Sequence, residues 1–168
     1  MASVTLRGNP CNLAGEIPKV GSTAPDFNLT GADMAPITKQ SLAGKKKVLV
    51  VVPSLDTPVC QTETRKFNEQ ATSLGDDVVV VIASADLPFA MKRFCAAEGL
   101  SNVKTGSNIR DRDFGKRWGV EIADGPLQNI TARAVFVIDQ NDKITYSELV
   151  PEIGQEPNYD AALAALKS

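Results

Sequence analysis

Two apolar runs rich in β-branched residues, 48–52 and 78–82, constrain the fold of this chain more than any other feature. Each run is continuously apolar, which is typical of strands that are covered on both faces of a sheet. The segment 59–74 between them has helical spacing, and a second helical segment begins near Pro88 and ends at Gly99. Proline suits the first turn of a helix and glycine its C-terminal cap. Strands that alternate with helices in this way predict an α/β sheet.

The remaining segments predict one antiparallel edge and extra N-terminal strands. Turn residues at 139–142 separate two short strands, which indicates a hairpin. The other predicted elements are an N-terminal hairpin over about residues 3–15 with its turn at 8–10, a loop over 21–31, a short helix over 111–118, strands over 134–138 and 143–147, and a terminal helix over 159–166. This order is that of the thioredoxin fold with an added N-terminal β-hairpin. The 168 residues are predicted to form a single domain, 1–168.

Charged residues are balanced and spread along the chain, with 18 lysines and arginines against 20 aspartates and glutamates. No basic stretch indicates a nucleic-acid or membrane-surface partner, so we expect neither. No apolar run approaches the roughly 18 residues of a membrane-spanning helix, and the first residues lack the apolar core of a signal peptide. These features predict a soluble protein located in the cytoplasm.

The cysteine and histidine content limits the available chemistry. The chain has three cysteines, Cys11, Cys60 and Cys95, and no histidine. An odd number of cysteines argues against a disulfide framework. Without histidine, a Cys-His dyad, a Ser-His-Asp triad and any histidine-bearing metal site are excluded, and without CxxC spacing the cysteines make a poor zinc site. Either the thiols are inert core residues, or at least one is activated by a helix N-terminus or an arginine.

Cys60 lies where a helix is predicted to begin. With Thr57 as the N-cap and Pro58 as the first helical residue, Cys60 takes the third position, where a capping box would place glutamate. Unpaired amide N–H groups and the helix dipole stabilise an anion there by about 0.3–1 kcal/mol. That is too little to ionise a thiol strongly, so a second cation would be needed. The alternative is that Cys60 is a small apolar residue at the junction of strand and helix.

A wider pattern surrounds Cys60. Pro53, Thr57 and Cys60 form P-x-x-x-T-x-x-C directly after an apolar strand, and this resembles the active-site signature of the peroxiredoxins. The segment 21–29, GSTAPDFNL, is similar to the entry motif of that superfamily. Four more segments resemble the bacterial thiol peroxidase subfamily, namely 84–90 (SADLPFA), 93–100 (RFCAAEGL), 123–127 (ADGPL) and 132–139 (ARAVFVID). Together these segments follow one another in order along most of the chain, from residue 21 to residue 139.

The resemblance implies a role for each residue of this pattern. Cys60 is expected to be the peroxidatic cysteine, whose thiolate attacks one oxygen of a hydroperoxide and becomes a sulfenic acid. Thr57 is expected to supply a hydroxyl group, and Arg133 the second cation that stabilises the thiolate and polarises the O–O bond. Pro53 would close the strand and shield the pocket.

The residues by themselves leave other roles open. Thr57 also fits an ordinary helix cap, and Pro53 a strand terminator. Arg133 also fits a solvated residue at a strand end, with Arg65 as a rival cation on the predicted helix of Cys60.

Cys95 matches the position of the resolving cysteine, so the resemblance implies a disulfide between Cys60 and Cys95 within one chain. Such a bridge needs Cα atoms within about 4.4–6.8 Å, a distance that cysteines on two separate, well-packed helices do not usually meet. We therefore expect local unwinding at Cys60, in the Cys95 helix or in both during each turnover. By spacing alone Cys95 also fits the core. Cys11 lies outside every matched motif and is expected to be incidental or structural.

The function that the resemblance implies is thiol-dependent reduction of hydrogen peroxide and alkyl hydroperoxides, without metal, haem or flavin. Thioredoxin is the implied reductant, and a homodimer the implied assembly. A thiol–disulfide exchange enzyme on the same fold is an alternative, against which the missing CxxC counts. A peroxide sensor that uses the same cysteine as a switch is a second alternative, because it needs the same accessible thiolate. A nucleotide-binding protein fits less well, because no G-x-G-x-x-G or P-loop follows a strand.

Overall fold

The computed structural model describes residues 2–167. Its elements in chain order are β1 (Ser3–Leu6), β2 (Asn9–Asn12), β3 (Asn28–Gly31), β4 (Pro36–Thr38), β5 (Lys46–Val51), α1 (Pro58–Ala71), β6 (Val78–Ser84), α2 (Pro88–Glu98), β7 (Lys104–Ser107), α3 (Phe114–Arg117), β8 (Ala134–Ile138), β9 (Ile144–Leu149) and α4 (Tyr159–Ala165). β1 and β2 form a separate antiparallel hairpin, and the other seven strands form one sheet in the order β4-β3-β7-β6-β5-β8-β9. The predicted α/β sheet with an N-terminal hairpin is confirmed.

The two apolar runs lie at the centre of this sheet. β5 and β6 are parallel, while β8 runs antiparallel to β5 on its other side. Successive side chains of β5 pack into two different cores on opposite faces of the sheet. Leu49 packs into the core that contains Trp118, whereas Val48 and Val50 pack into the core that contains Phe67. Because side chains alternate across a strand and both faces are covered, the run is apolar at every position.

The two cysteine-bearing helices begin at the same edge of the sheet. α1 follows β5 and α2 follows β6, and parallel neighbours have their carboxyl ends at one edge. Cys60 belongs to the core on the face covered by these helices, and Cys95 packs against that same core. The parallel pairing of β5 with β6 therefore places the two predicted redox cysteines on neighbouring crossovers.

Three strands were missed in the sequence, and one helix is shorter than predicted. β3 and β4 lie within or just after the predicted loop, and β7 has a polar, glycine-containing sequence without the strand pattern. Gly106 of β7 is required by packing, because a Cβ there would lie 2.8 Å from the Cβ of Leu29 on β3. The helix predicted over 111–118 is the single turn α3. These elements depend on pairing between distant segments, which local propensity does not record.

The predicted helix boundaries and the N-terminal turn shift slightly. α1 begins at Pro58, the predicted first helical residue, and ends at Ala71, three residues before the predicted end at Leu74. α2 ends as predicted, with Gly99 as a left-handed C-cap at φ 67°. The hairpin turn is Arg7-Gly8, whose φ values of 52° and 81° both suit a tight two-residue turn, so the predicted turn residues 9 and 10 belong to β2. Among residues 2–167, no helix is long and apolar enough to cross a membrane.

Candidate active site

The strand register brings the ends of two distant segments together at Cys60. Val51, the last residue of β5, pairs with Ala134, the first of β8. Arg133 therefore lies directly before β8 and beside the segment that leads from β5 into α1. Cys60 is the third residue of that helix, as predicted. Antiparallel pairing thus sets the predicted cation next to the predicted thiol.

Arg133 contacts the Cys60 sulfur directly. Its Nη1 donates a hydrogen bond to Sγ at 3.1 Å, and its Nε donates to the carbonyl oxygen of Ile153 at 3.0 Å. Arg133 is 2% exposed and Cys60 is 0% exposed, so the arginine is not the solvated strand-end residue that the alternative required. A guanidinium held at two nitrogens has a fixed orientation, and its charge is kept at the sulfur.

Glu63 of α1 is a third member of this group, and it was not predicted as a site residue. It is 0% exposed, and its Oε2 accepts a hydrogen bond from the same Nη1 that contacts Cys60. Within residues 2–167, its other oxygen, Oε1, has no hydrogen-bond partner. The signal that could have found it is its spacing, because residues three apart lie on the same face of a helix.

Burial and charge act in opposite directions on this pair. Burial raises the pKa of the Glu63 carboxyl from 4.5 to about 7, although the attraction of Arg133 and its hydrogen bond lower it. Burial by itself lowers the pKa of Arg133, but the attraction of Glu63 and then of Cys60 outweighs it, and the net shift is upward. Arg133 therefore stays charged while Glu63 gains a proton near neutral pH.

Thr57 and Pro53 lie where the pattern predicts, but one expected contact is different. Thr57 occupies the N-cap position of α1, yet its side chain makes no capping hydrogen bond within the described residues. Its hydroxyl instead donates to the carbonyl oxygen of Ser54 at 3.0 Å, so the capping role is wrong. Pro53 is buried and follows Val52, whose carbonyl oxygen accepts a hydrogen bond from Thr131 at 2.8 Å. It lies two residues after Val51, where β5 ends.

Cys95 has different surroundings from Cys60. It is half-buried in the later part of α2 and lines a groove of about 490 Å³ together with Thr105 and Lys45. Burial raises the pKa of the Cys95 thiol, and a hydrogen bond with Thr105 opposes this shift. Cys60 and Cys95 are both free thiols in this structure, each within an intact helix.

Two other residues singled out in the sequence do not join the site. Cys11 is 2% exposed and packs in the small core under the N-terminal hairpin, as a structural residue would. Arg65, the rival cation, forms an ion pair with Glu98 at 3.1 Å and holds the end of α2 against α1. The structure thus places Arg133 rather than Arg65 against the Cys60 sulfur.

Comparison with known proteins identifies close relatives. The family model for Redoxin matches residues 19–163. The thiol peroxidase of Mycobacterium bovis is 54% identical over 166 residues, which cover 99% of this chain and 99% of that protein. The thiol peroxidase of Leptospira interrogans is 52% identical over 167 residues, which cover 98% of this chain and 97% of that protein.

The solved structures support the same conclusion. The crystal structure of a peroxiredoxin-like protein from Aquifex aeolicus is 44% identical to this chain, with a TM-score of 0.93 over 99% of this chain and 96% of that one. The resemblance read from the sequence is confirmed, and with it the peroxiredoxin type of thioredoxin-like fold. By its family model, its close relatives and its fold, the chain belongs to the Redoxin family.

Proposed function

We propose that the chain is a thiol-dependent peroxidase that reduces hydrogen peroxide and alkyl hydroperoxides. The observation that carries the proposal is the 3.1 Å contact between Arg133 Nη1 and Cys60 Sγ in the first turn of α1. Two sources of positive charge, the guanidinium and the helix N-terminus, act on one sulfur, and a thiolate is the nucleophilic form of cysteine. The relatives that are named thiol peroxidase support the same activity.

The first step is attack of the Cys60 thiolate on the terminal oxygen of the hydroperoxide. An S–O bond forms while the O–O bond breaks, so that sulfur loses two electrons and becomes a sulfenic acid. The departing oxygen leaves as alkoxide or hydroxide and takes a proton from solvent to become alcohol or water. Arg133 is placed to stabilise the thiolate before attack and the negative charge that develops on the oxygen during it.

Thr57 and Pro53 are proposed to position the peroxide. Because the Thr57 hydroxyl donates its hydrogen to Ser54, its oxygen keeps a lone pair that accepts a hydrogen bond from the peroxide O–H. Pro53 offers no donor and keeps water from the sulfur. Cys60 is 0% exposed, so a peroxide reaches it only when the side chains that cover it move.

Cys95 is proposed to resolve the sulfenic acid. Its thiol condenses with the oxidised Cys60, an S–S bond replaces the S–O bond, and water leaves. Because Cys60 and Cys95 are held in separate helices with different partners, we propose that the first turn of α1, part of α2 or both unwind before this step. The dithiol of thioredoxin then reduces the disulfide and is itself oxidised. The hydroperoxide is the oxidant and thioredoxin the reductant, so the catalytic cycle needs no metal, haem or flavin.

A homodimer and a cytoplasmic location complete the proposal. Three exposed apolar residues, Leu87, Phe89 and Ile109, follow strands that end at the edge of the sheet where α1 and α2 begin, and Phe89 is 70% exposed. Exposed apolar patches commonly mark protein interfaces. We expect Phe89→Asp to shift sedimentation toward the monomer. Val20→Asp, at an exposed apolar residue near the opposite edge of the sheet, is the matched control.

The proposed cytoplasmic location is supported by the three free cysteines, because thiols persist in a reducing compartment.

The proposal is tested by peroxide consumption with a thioredoxin system on the wild type and on three single variants. Cys60→Ser should abolish turnover. Cys95→Ser should allow one oxidation event per chain but no thioredoxin-supported turnover, and Cys11→Ser should retain the wild-type rate. Full activity of Cys60→Ser would reject the proposal. A wild type that oxidises once and is not recycled would favour the peroxide sensor instead.

A further inference from the structure

One carboxylate, that of Asp86, joins the two loops from which the cysteine-bearing helices begin. Its Oδ1 accepts a hydrogen bond from Ser54 Oγ at 2.8 Å. Its Oδ2 accepts from the backbone N–H of Leu55 at 2.8 Å and from Ser84 Oγ at 2.6 Å. We call these three hydrogen bonds the Asp86 bridge. The bonds from Ser54 and Leu55 connect the loop after β5 with the loop after β6 at the shared edge of the sheet, and the bond from Ser84 ties Asp86 to the end of β6.

On one side the Asp86 bridge leads to Cys60. The carbonyl oxygen of Ser54 accepts hydrogen bonds from both the N–H of Thr57, at 3.3 Å, and its hydroxyl, at 3.0 Å. Ser54 Oγ also accepts from the N–H of Asp56 at 3.1 Å. Asp86 therefore fixes the tight turn that sets both the start of α1 and the orientation of the Thr57 hydroxyl beside the site.

On the other side the bridge leads to Cys95. Asp86 directly precedes Leu87, the N-cap of α2, and Ser84 is the last residue of β6. The carbonyl oxygen of Leu87 accepts the hydrogen bond from Met91 in the first turn of α2. Asp86 thus adjoins the first turn of α2 and, through Ser54 and Leu55, contacts the turn before Cys60.

We propose that Asp86 is a positioning residue that holds the two cysteine-bearing helices in the peroxide-reactive arrangement, and that the Asp86 bridge opens before Cys60 and Cys95 form their disulfide. This inference rests on the proposed function, because it assigns Asp86 a place between the two chemical steps. It predicts that the steps respond in opposite directions. An intact bridge favours attack on peroxide by preorganising Thr57, whereas a broken bridge favours the unwinding that the disulfide requires.

The test measures the two steps separately in single turnover by rapid quench and mass spectrometry. With Asp86→Ala we expect sulfenic acid formation at Cys60 to slow about tenfold and the subsequent disulfide formation to accelerate about tenfold, the effect of losing roughly one hydrogen bond to a charged group. Because the sulfenic acid then survives for a shorter time, a second peroxide molecule should oxidise less of it to sulfinic acid.

Two milder variants keep the test decisive if Asp86→Ala unfolds. Ser54→Ala removes one hydrogen bond of the bridge, and Asp86→Asn keeps the shape while removing the charge, so both should shift the two rates in the same opposite directions by smaller factors. Asp124→Ala is the matched control, because Asp124 likewise joins two segments by accepting hydrogen bonds from Asn12 N at 2.9 Å and Nδ2 at 2.8 Å, at the N-terminal hairpin. It should leave both rates unchanged.

Each outcome decides the question. Opposite changes in the two rates, graded from Ser54→Ala to Asp86→Ala, support the Asp86 bridge. Slowing of both steps together, or no change in either, overturns it, because a purely structural residue has no reason to accelerate the second step. If the wild type itself forms no sulfenic acid at Cys60, the proposed function fails, and that result is distinct from a bridge variant that behaves like the control.

Discussion

The guanidinium of Arg133 donates a hydrogen bond to the Cys60 sulfur at 3.1 Å, although the two residues are 73 positions apart in the chain. The same nitrogen of Arg133, Nη1, also donates a hydrogen bond to Glu63, and all three side chains are buried from solvent. In such surroundings an electrostatic contact is much stronger than it would be in water, and an unpaired charge costs more. Replacing Arg133 should therefore affect the reaction with peroxide, and replacing Glu63 the dependence of folding stability on pH.

Replacing Arg133 should affect the reaction with peroxide most directly. We expect Arg133→Met to lower the second-order rate constant for sulfenic acid formation by about 10²- to 10³-fold, because a preorganised donor to the developing charge is lost. Arg133→Lys keeps a positive charge but loses the forked guanidinium group, so its rate constant should lie between those of the wild type and Arg133→Met. Stopped-flow kinetics measures the rate, and circular dichroism checks the fold. Arg65→Met, which removes the exposed rival cation, should retain the wild-type rate.

Glu63 should make folding stability depend on pH. Its pKa in the folded protein, about 7, lies above the value of 4.5 expected when it is exposed, so the unfolded chain loses this proton at lower pH than the folded protein. The stabilising contribution is complete below about pH 4.5 and is lost as pH rises through about 7. Between pH 5 and 8 the loss from this group is about 2–3 kcal/mol, at about 1.4 kcal/mol per pKa unit.

Glu63→Gln keeps a hydrogen-bond acceptor for Arg133 but cannot ionise. Urea unfolding under reducing conditions should therefore show that this variant gains stability relative to the wild type as pH rises from 5 to 8. Glu69→Gln, on the exposed face of the same helix, serves as the control and should follow the wild type. A constant difference between Glu63→Gln and the wild type across this range would contradict the raised pKa.

Thr57 should matter through its oxygen atom and not as a cap of α1. Thr57→Val preserves the shape but removes the acceptor that we assign to the peroxide O–H, so the rate of sulfenic acid formation should fall about tenfold or more. Thr57→Ser retains the hydroxyl and should remain within a few-fold of the wild type. If the two variants react with peroxide at equal rates, the hydroxyl has no part in the reaction.

Disulfide formation should loosen the helices that carry the cysteines. We expect hydrogen exchange in segments 58–64 and 88–98 to be faster in the protein with the disulfide than in the reduced protein, because the backbone hydrogen bonds of unwound turns open to solvent. Segment 78–84, the central strand β6, should exchange equally in both and is the internal control. Equal protection of both helices in the two states would mean that the cysteines meet without unwinding.

The central strands and the main helices were predictable because their signals are local. The apolar run of β5, the proline at the start of α1 and the left-handed glycine after α2 each act within a few residues. β7 was not predictable in this way. Its Gly106 is explained by the close approach of Leu29 from another strand, a contact that exists only after the sheet has formed.

The sequence by itself determined that Cys60 lies in the first turn of a helix, where an anion is stabilised, and that no histidine is available to activate it. Only the tertiary structure decided which charges surround the sulfur. The register of β8 on β5 brings Arg133 to it and leaves Arg65 with Glu98, and the packing of α1 turns Glu63 into the core. These contacts form only when distant segments pack together. Their interaction energies also depend on the fold, because electrostatic interactions are stronger where water is excluded.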